Sequence, residues 1–150
     1  MTQTITAAAG FLIAVLWFDL MFDVQVLPRG GPAEVPDVRL DSISAYYRRV
    51  TTTASPMGRL VVLPMLVLLA ALAVQAARSD APVWVSAVSL PAATLAIGLG
   101  ALRTFGAARR IGSRRDPPDT QLRLARGILL DHLICLPAMV MVLAAQLAGS

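Results

Sequence analysis

Asp19 and Asp23 are the residues whose type and spacing most clearly suggest chemistry in this chain. They lie four residues apart inside the apolar stretch that opens the sequence. A helix brings such a pair onto one face. A charged side chain at membrane depth is costly, and it usually faces a partner or a water-filled cavity. The spacing therefore predicts a functional site in the second half of the first apolar helix.

Four charge-free runs indicate what surrounds this pair. The chain of 150 residues is 57% hydrophobic. No charged residue occurs in 1–18, 60–77, 81–102 or 133–150. Each run approaches the ~20 residues that a helix needs to cross a bilayer. We therefore predict one all-α domain over 1–150, an integral membrane bundle of four antiparallel helices at about 5–26, 57–77, 82–104 and 124–147. With no basic residue before the first helix and no cleavage motif after it, this helix is expected to be retained rather than removed as a signal peptide.

Arginine indicates the orientation of these helices. All 13 basic residues are arginine, and most of them lie in the two long connections, about 28–56 and 105–123. Because positive residues concentrate on the cytoplasmic side, both connections should face the cytoplasm and both termini should be extracytoplasmic. The absence of lysine and the abundance of alanine suggest a bacterial genome, and hence the bacterial inner membrane.

The two long connections have different expected roles. In the first, Gly30-Gly31-Pro32 breaks the chain, and a short helix is predicted to start at Asp41 or Ser42 and to include Tyr46 and Tyr47. Two arrangements are open: an interfacial helix with its tyrosines at headgroup level, or a helix packed under the bundle. In the second connection, four arginines are expected to attract anionic lipid headgroups rather than nucleic acid: Arg109, Arg110, Arg114 and Arg115.

A second polar group should lie at the same depth as the two aspartates. At 1.5 Å per residue, Asp19 lies ~10–12 Å above the inner end of the first helix, and His132 lies ~12 Å above the start of the fourth. Arg126 and Asp131 belong to the same half of the fourth helix. In an up-and-down bundle the first and last helices are neighbours, so these residues should meet.

Three interpretations of this cluster are open. In the first, the aspartates form ion pairs with arginines and fix the register of the helices. In the second, the protein is a membrane enzyme whose His132 works with a carboxylate as acid and base on a lipophilic substrate from the cytoplasmic leaflet. The catalytic candidates are Asp19, Asp23, Asp131 and His132. The candidates for binding substrate or balancing charge are Arg126, Arg103, Arg59, Tyr46 and Tyr47.

In the third interpretation the same groups line a proton or ion path. Under the first or third interpretation the chain would be a non-catalytic partner subunit or a small transporter component, and a transporter would need an oligomer because four helices are few. The sequence indicates no cofactor. A metal site built from Asp19, Asp23 and His132 is geometrically allowed but is not predicted, since the chain has one histidine and no carboxylate–histidine helix motif. Cys135 is interpreted as a small apolar filler.

In layout the chain resembles the anthrone-oxygenase-like family of small four-helix bacterial membrane proteins, most of them of unknown function. That family has a long first cytoplasmic loop, an arginine-rich third loop and a polar Trp-Asn-x-x-Arg element opening the fourth helix. Here Leu130-Asp131-His132 stands in place of the Trp-Asn pair, and no arginine follows. The resemblance implies cofactor-independent oxygenation of a lipophilic substrate.

Overall fold

The structure of this protein is a computed structural model that describes residues 1–27, 37–53 and 55–150, without the side chains of 53 and 55–57. Within these ranges the chain is helical, with no strand. The α-helices are α1 (Thr2–Asp23), α2 (Asp37–Arg48), α3 (Ser55–Arg78), α4 (Val83–Leu99), α5 (Phe105–Ser113) and α6 (Pro118–Ala148). A 3₁₀ turn, Val24–Val26, follows α1, and π-helical turns follow α2 (Arg49–Thr53) and α4 (Gly100–Thr104).

Four stretches of helix are long and apolar enough to cross a membrane. They are Thr2–Val26, Gly58–Arg78, Val83–Ser113 and Pro118–Ala148. Many of their large apolar side chains point outward, including Trp17, Leu63 and Leu130. A soluble domain would not expose so much apolar surface, whereas lipid would cover it. The prediction of an all-helical chain with four helices long and apolar enough to span a membrane is confirmed for the described residues.

Small side chains allow the four long helices to approach one another. α1 contacts α3 and α6, and α4 contacts the same two helices. Their shared core includes Ile5, Leu68, Ala93 and Val142. Alanines on one face of α4 bring its backbone close to α6, as is usual where membrane helices pack. The expected contact between the first and last long helices, α1 and α6, is present.

The arginine-rich connection 105–123 is shorter than its composition predicted. α4 continues through the π-helical turn into α5, and α6 starts at Pro118, so the connection is reduced to 114–117. Arginine and alanine favour helix, and α5 buries Ala108 and Ile111 on one face. The prediction of a loop was wrong because arginines marked the end of the apolar run, not the end of the helix.

α2 lies against α5 at the end of the molecule where α1 stops and α6 begins, hereafter the α2 end. It starts at Asp37, one turn before the predicted Asp41. Gly112 of α5 allows this contact, because a Cβ at that position would lie 2.8 Å from the backbone nitrogen of Arg48. An ion pair between Asp41 and Arg114 joins α2 to the short connection. The break predicted at Gly30-Gly31-Pro32 lies outside the described residues.

Candidate functional site

Asp19 and Asp23 occupy the last turns of α1 and face the interior of the α2 end. Asp23 is 1% exposed. Asp19 is less enclosed, with 15% of its side chain accessible. The expected helical spacing holds, since both carboxylates interact with the same histidine of α6.

His132 lies between the two carboxylates. Its Nδ1 is 2.6 Å from Oδ2 of Asp23, and its Nε2 is 3.9 Å from Oδ2 of Asp19. An ionised carboxylate can only accept a hydrogen bond, so Nδ1 carries the proton whenever Asp23 is ionised. In the neutral imidazole, Nε2 then has a free lone pair directed away from Asp23. Asp23 thus holds both the orientation and the tautomer of the ring.

Two adjacent tyrosines of α2 complete the arrangement. The Tyr47 hydroxyl donates to Oδ1 of Asp23 at 2.6 Å, and the Tyr46 hydroxyl donates to Oδ1 of Asp19 at 2.5 Å. The Tyr46 ring is stacked on Phe22 with the ring centroids 4.0 Å apart. Burial raises the pKa of both tyrosines above its ordinary value, and the negative aspartates raise each pKa further. Both tyrosines are therefore neutral donors at physiological pH.

These five side chains form one continuous network, here called the charged cluster (Asp19, Asp23, Tyr46, Tyr47 and His132). With Tyr47 only 3% exposed, α2 is packed under the long helices rather than lying with its tyrosines at headgroup level. Of the two arrangements left open by the sequence, the packed one is observed. The physical reason is that each tyrosine hydroxyl has a carboxylate partner inside the protein.

An apolar cavity of about 520 Å³ lies beside the charged cluster, and four members of the cluster line it. Side chains of α1, α3, α4 and α6 line most of it, among them Leu12, Val61, Met65 and Met139. Its polar lining includes Asp19, both tyrosines, His132, Thr104 and Arg109. A mostly apolar cavity with a few convergent polar groups is the usual form of a small-molecule site. The cavity and Thr104 were not found from the sequence, because neither leaves a signature in a single helix.

Asp131 belongs to a different network from its neighbour His132. Successive helical residues point about 100° apart. Asp131 therefore faces α4, where it accepts a hydrogen bond from Thr104 at 3.2 Å and lies 3.3 Å from an Arg103 nitrogen. The sequence predicted that Asp131 and Arg103 would join the aspartates of α1. In the structure these two residues contact each other instead.

Arg126 and Arg59 also stay outside the charged cluster. Arg126 is exposed. It lies six residues before His132, and this spacing places it on a different face of α6. Arg59 is exposed on α3. In the described part of the chain neither is seen to form an ion pair with an aspartate. The expected carboxylate–histidine–arginine cluster is instead a carboxylate–histidine–tyrosine cluster.

The four arginines expected at lipid headgroups differ in their surroundings. Arg110 makes a two-bond contact with Asp116 at 2.9 and 3.1 Å, which lowers the pKa of that carboxyl. Arg114 forms the ion pair with Asp41. Arg115 is exposed, and Arg109 lines the cavity. Two of the four thus already have acidic partners within the chain.

The arrangement suits proton transfer better than metal binding. Asp23 and His132 bind each other through the atoms that would otherwise reach a metal. Across the described residues, no group of three or more His, Cys, Asp or Glu side chains is placed to hold an ion. Cys135 lies against the cavity and contacts the Ala96 carbonyl oxygen at 3.5 Å.

No family model, curated protein or solved structure matches this chain.

Proposed function

We propose that the chain is a bacterial inner-membrane protein whose four long helices form an antiparallel bundle with both termini extracytoplasmic. The support is the concentration of arginine in the two connections that the sequence assigns to the cytoplasm. The second of these connections lies at the α2 end together with α5. In this orientation the charged cluster lies in the cytoplasmic half of the membrane.

We propose further that the protein is a membrane enzyme that performs acid–base chemistry on a lipophilic molecule. One observation carries this proposal: His132 and Asp19 line the apolar cavity. A purely structural ion-pair network needs no such space beside it. The volume falls in the range of sites that enclose small organic ligands.

His132 is the general base in this proposal. Its Nε2 accepts a proton from the substrate while Nδ1 remains bonded to Asp23. The buried Asp23 carboxylate then stabilises the imidazolium that forms. Tyr47 holds Asp23 in place, and Asp19, fixed by Tyr46, lies on the substrate side of the ring. The mostly apolar walls lower the polarity around these groups, which strengthens each of these electrostatic interactions.

A comparison of His132→Gln with wild type tests this role. Both proteins are reconstituted in nanodiscs and incubated with a lipophilic cell extract, and compounds consumed or formed are identified by mass spectrometry. Wild type should convert at least one compound at a rate about 10²–10⁴-fold above His132→Gln, which is the usual contribution of a general base. Asp131→Asn is the matched control, because that neighbouring buried carboxylate does not line the cavity, and it should keep the activity.

The oxygenation implied by the family resemblance would use His132 only to remove a proton from the substrate, with molecular oxygen as the oxidant, and it stays a prediction. Repeating the incubation without oxygen tests it, since an oxygenase would form no product there. Equal compound profiles for wild type and a folded His132→Gln protein would contradict the enzyme proposal as a whole.

A structural role for the charged cluster is the second candidate. It is favoured by the completeness of the hydrogen bonding, since within the described ranges no buried polar side-chain atom lacks a partner. Under this alternative, Asp19→Asn, Asp23→Asn and His132→Gln would all strongly destabilise the protein. In an enzyme, Asp19→Asn at the cavity wall should be tolerated.

A further inference from the structure

The charged groups beside the cavity limit the chemical class of head group that a bound ligand can carry. Two carboxylates, Asp19 and Asp23, face one imidazole. Even a protonated His132 balances only one of them. Three other arginines of the described chain have acid partners of their own: Arg103 pairs with Asp131, Arg110 with Asp116 and Arg114 with Asp41. Arg109 also lines the cavity, but it lies on α5, and no contact between it and either aspartate is seen among the described residues. An anionic head group placed here would meet uncompensated negative charge in a medium of low polarity, where repulsion is strong.

The free space between Asp19 and His132 has the right size for one donor atom. Asp19 Oδ2 and His132 Nε2 are 3.9 Å apart, too far for a direct hydrogen bond. A donor atom beside both would lie about 2.8 Å from each, which is an ordinary hydrogen-bond length. An ammonium group could donate to both acceptors, whereas a hydroxyl would donate its single proton to one of them, to Nε2 in the reacting arrangement. A carboxylate or phosphate oxygen in that position would have no proton to give to Asp19.

The body of the ligand is set by the walls of the cavity and by its opening. Most of the lining is apolar. Phe18 lines the cavity and is also 61% exposed on the outer surface of α1. The cavity therefore reaches a surface that lipid would cover, and a lipophilic molecule could enter from the membrane. Aromatic rings of Phe18, Tyr46 and Phe105 would also favour a cationic head.

We propose that the site binds a lipophilic molecule whose polar head donates protons and carries no negative charge, a phenol-like hydroxyl or an ammonium group, held between Asp19 and His132. This inference rests on the proposed function, since it concerns the same site. The head group would deliver its proton to the atom that acts as base.

Arg109 is the rival feature, because it also lines the cavity and could attract an anion. It is exposed on α5, one turn beyond Phe105. An anionic ligand would therefore have its head at Arg109 and not at the two aspartates. The two arrangements predict opposite preferences and depend on different side chains.

Four probes with one shared body separate these arrangements: para-octylphenol, para-octylbenzylamine, para-octylbenzoate and octylbenzene. Occupancy of the purified protein at neutral pH is measured by native mass spectrometry at equal probe concentration. The phenol or the amine should bind at least about tenfold more tightly than the benzoate, whose negative charge faces the carboxylates, and than octylbenzene, which has no proton to donate. The relative occupancy of phenol and amine then identifies which donor head is preferred.

Asp19→Asn is the decisive variant, because its amide keeps the shape of the side chain and can still accept a bond from Tyr46. It should reduce the preference over benzoate to a few-fold or less. The inference is overturned if benzoate binds best, if Arg109→Gln abolishes binding of the preferred probe, if the preference survives in Asp19→Asn, or if all four probes bind equally or none binds. Turnover without this selectivity would overturn this inference alone, and selectivity without turnover would overturn only the enzymatic proposal.

Discussion

Two of the buried polar clusters in the described part of the chain, the charged cluster and a glutamine cluster, differ in charge and in surroundings. The glutamine cluster (Gln75, Ser89 and Gln146) joins α3, α4 and α6 at the end opposite α2. The two amides exchange hydrogen bonds of 2.9 and 3.0 Å, and Gln146 also donates to Ser89 at 3.3 Å. All three residues are buried, and none lines the cavity of the charged cluster.

The difference teaches what each cluster is suited to do. Neutral amides that hydrogen-bond to one another require close packing of the helices. They fix the register of the helices at a modest cost in desolvation free energy. Buried carboxylates cost much more to remove from water, and apolar residues of similar size would often serve stability better. Charge beside a cavity is therefore better explained by a ligand than by packing. The experiments below test this contrast.

The largest effect is expected for Asp23→Ala. It leaves the Tyr47 hydroxyl and the His132 ring without their buried acceptor, and removing one partner of a buried pair costs about 3–5 kcal/mol. The free energy of unfolding can be measured by denaturant titration in mixed micelles, followed by circular dichroism. Asp19→Ala is the matched control and should lose less, because its site opens on the cavity. Equal losses would mean that both aspartates are structural.

The next largest effect is expected at the glutamine cluster. Gln146→Leu removes three hydrogen bonds and leaves both Gln75 and Ser89 unsatisfied, which should cost about 3 kcal/mol, the upper end for buried polar groups. Adding Gln75→Leu should recover part of the loss, since two apolar residues can then pack together. Ligand selectivity at the charged cluster should stay unchanged in both variants. A change in ligand selectivity would show that the glutamine cluster and the charged cluster are not independent.

The sequence predicted those parts of the molecule that depend on hydropathy and helical spacing. Charge-free runs identified four spans, because lipid demands them. The pairing of Asp23 with His132 was expected from equal depth in neighbouring helices, and the structure brings the two side chains together. Thr104 and the cavity walls could not be predicted, because they come from several helices whose rotation about their axes the sequence leaves open.

The predictions failed where the contacts of a polar side chain were inferred from its position along the chain alone. Arg126 was expected near the aspartates because it lies at a similar depth, but its helical phase directs it outward. The tyrosines of α2 were named as candidates for binding substrate or balancing charge, on a helix at the membrane surface or packed under the bundle. Their bonds to Asp19 and Asp23 were not predicted, because nothing local reveals a carboxylate partner more than twenty residues away. The depth of a residue in the membrane follows from counting residues along its helix. Whether two side chains at the same depth touch also depends on how each helix is rotated about its axis and on the path of the loop between them.

A smaller effect is expected where α2 meets α5. Gly112→Ala would place a Cβ against the backbone of Arg48, and overpacking of that kind should cost about 2 kcal/mol. Gly106→Ala on the same helix is the control, because nothing lies within 4 Å of its Cβ, and it should stabilise by about 0.5–1 kcal/mol through helix propensity. Displacing α2 should also disturb Tyr46 and Tyr47 but not the glutamine cluster. Unfolding titrations of both variants would measure this, and equal stabilities would contradict the close contact.

The smallest effect concerns the two tyrosines, which are the chain's whole complement of that residue. Their ultraviolet tyrosinate absorbance therefore reports on the charged cluster alone. Because the pKa of each tyrosine is raised above the ordinary 10.0 in the folded protein, no tyrosinate should form near pH 10 until the protein unfolds.

The sign for stability follows from proton binding. Above pH 10 the unfolded chain releases its tyrosine protons while the folded protein keeps them, so the stabilisation present below pH 10 is lost as pH rises. Asp19→Asn should lower the pKa of Tyr46 only in part, since burial, the larger cause, remains. Variants of the glutamine cluster should not move the titration at all. A folded protein that titrates with a midpoint near pH 10 would mean that the tyrosines face water, and the charged cluster would then lack the enclosure on which its proposed chemistry depends.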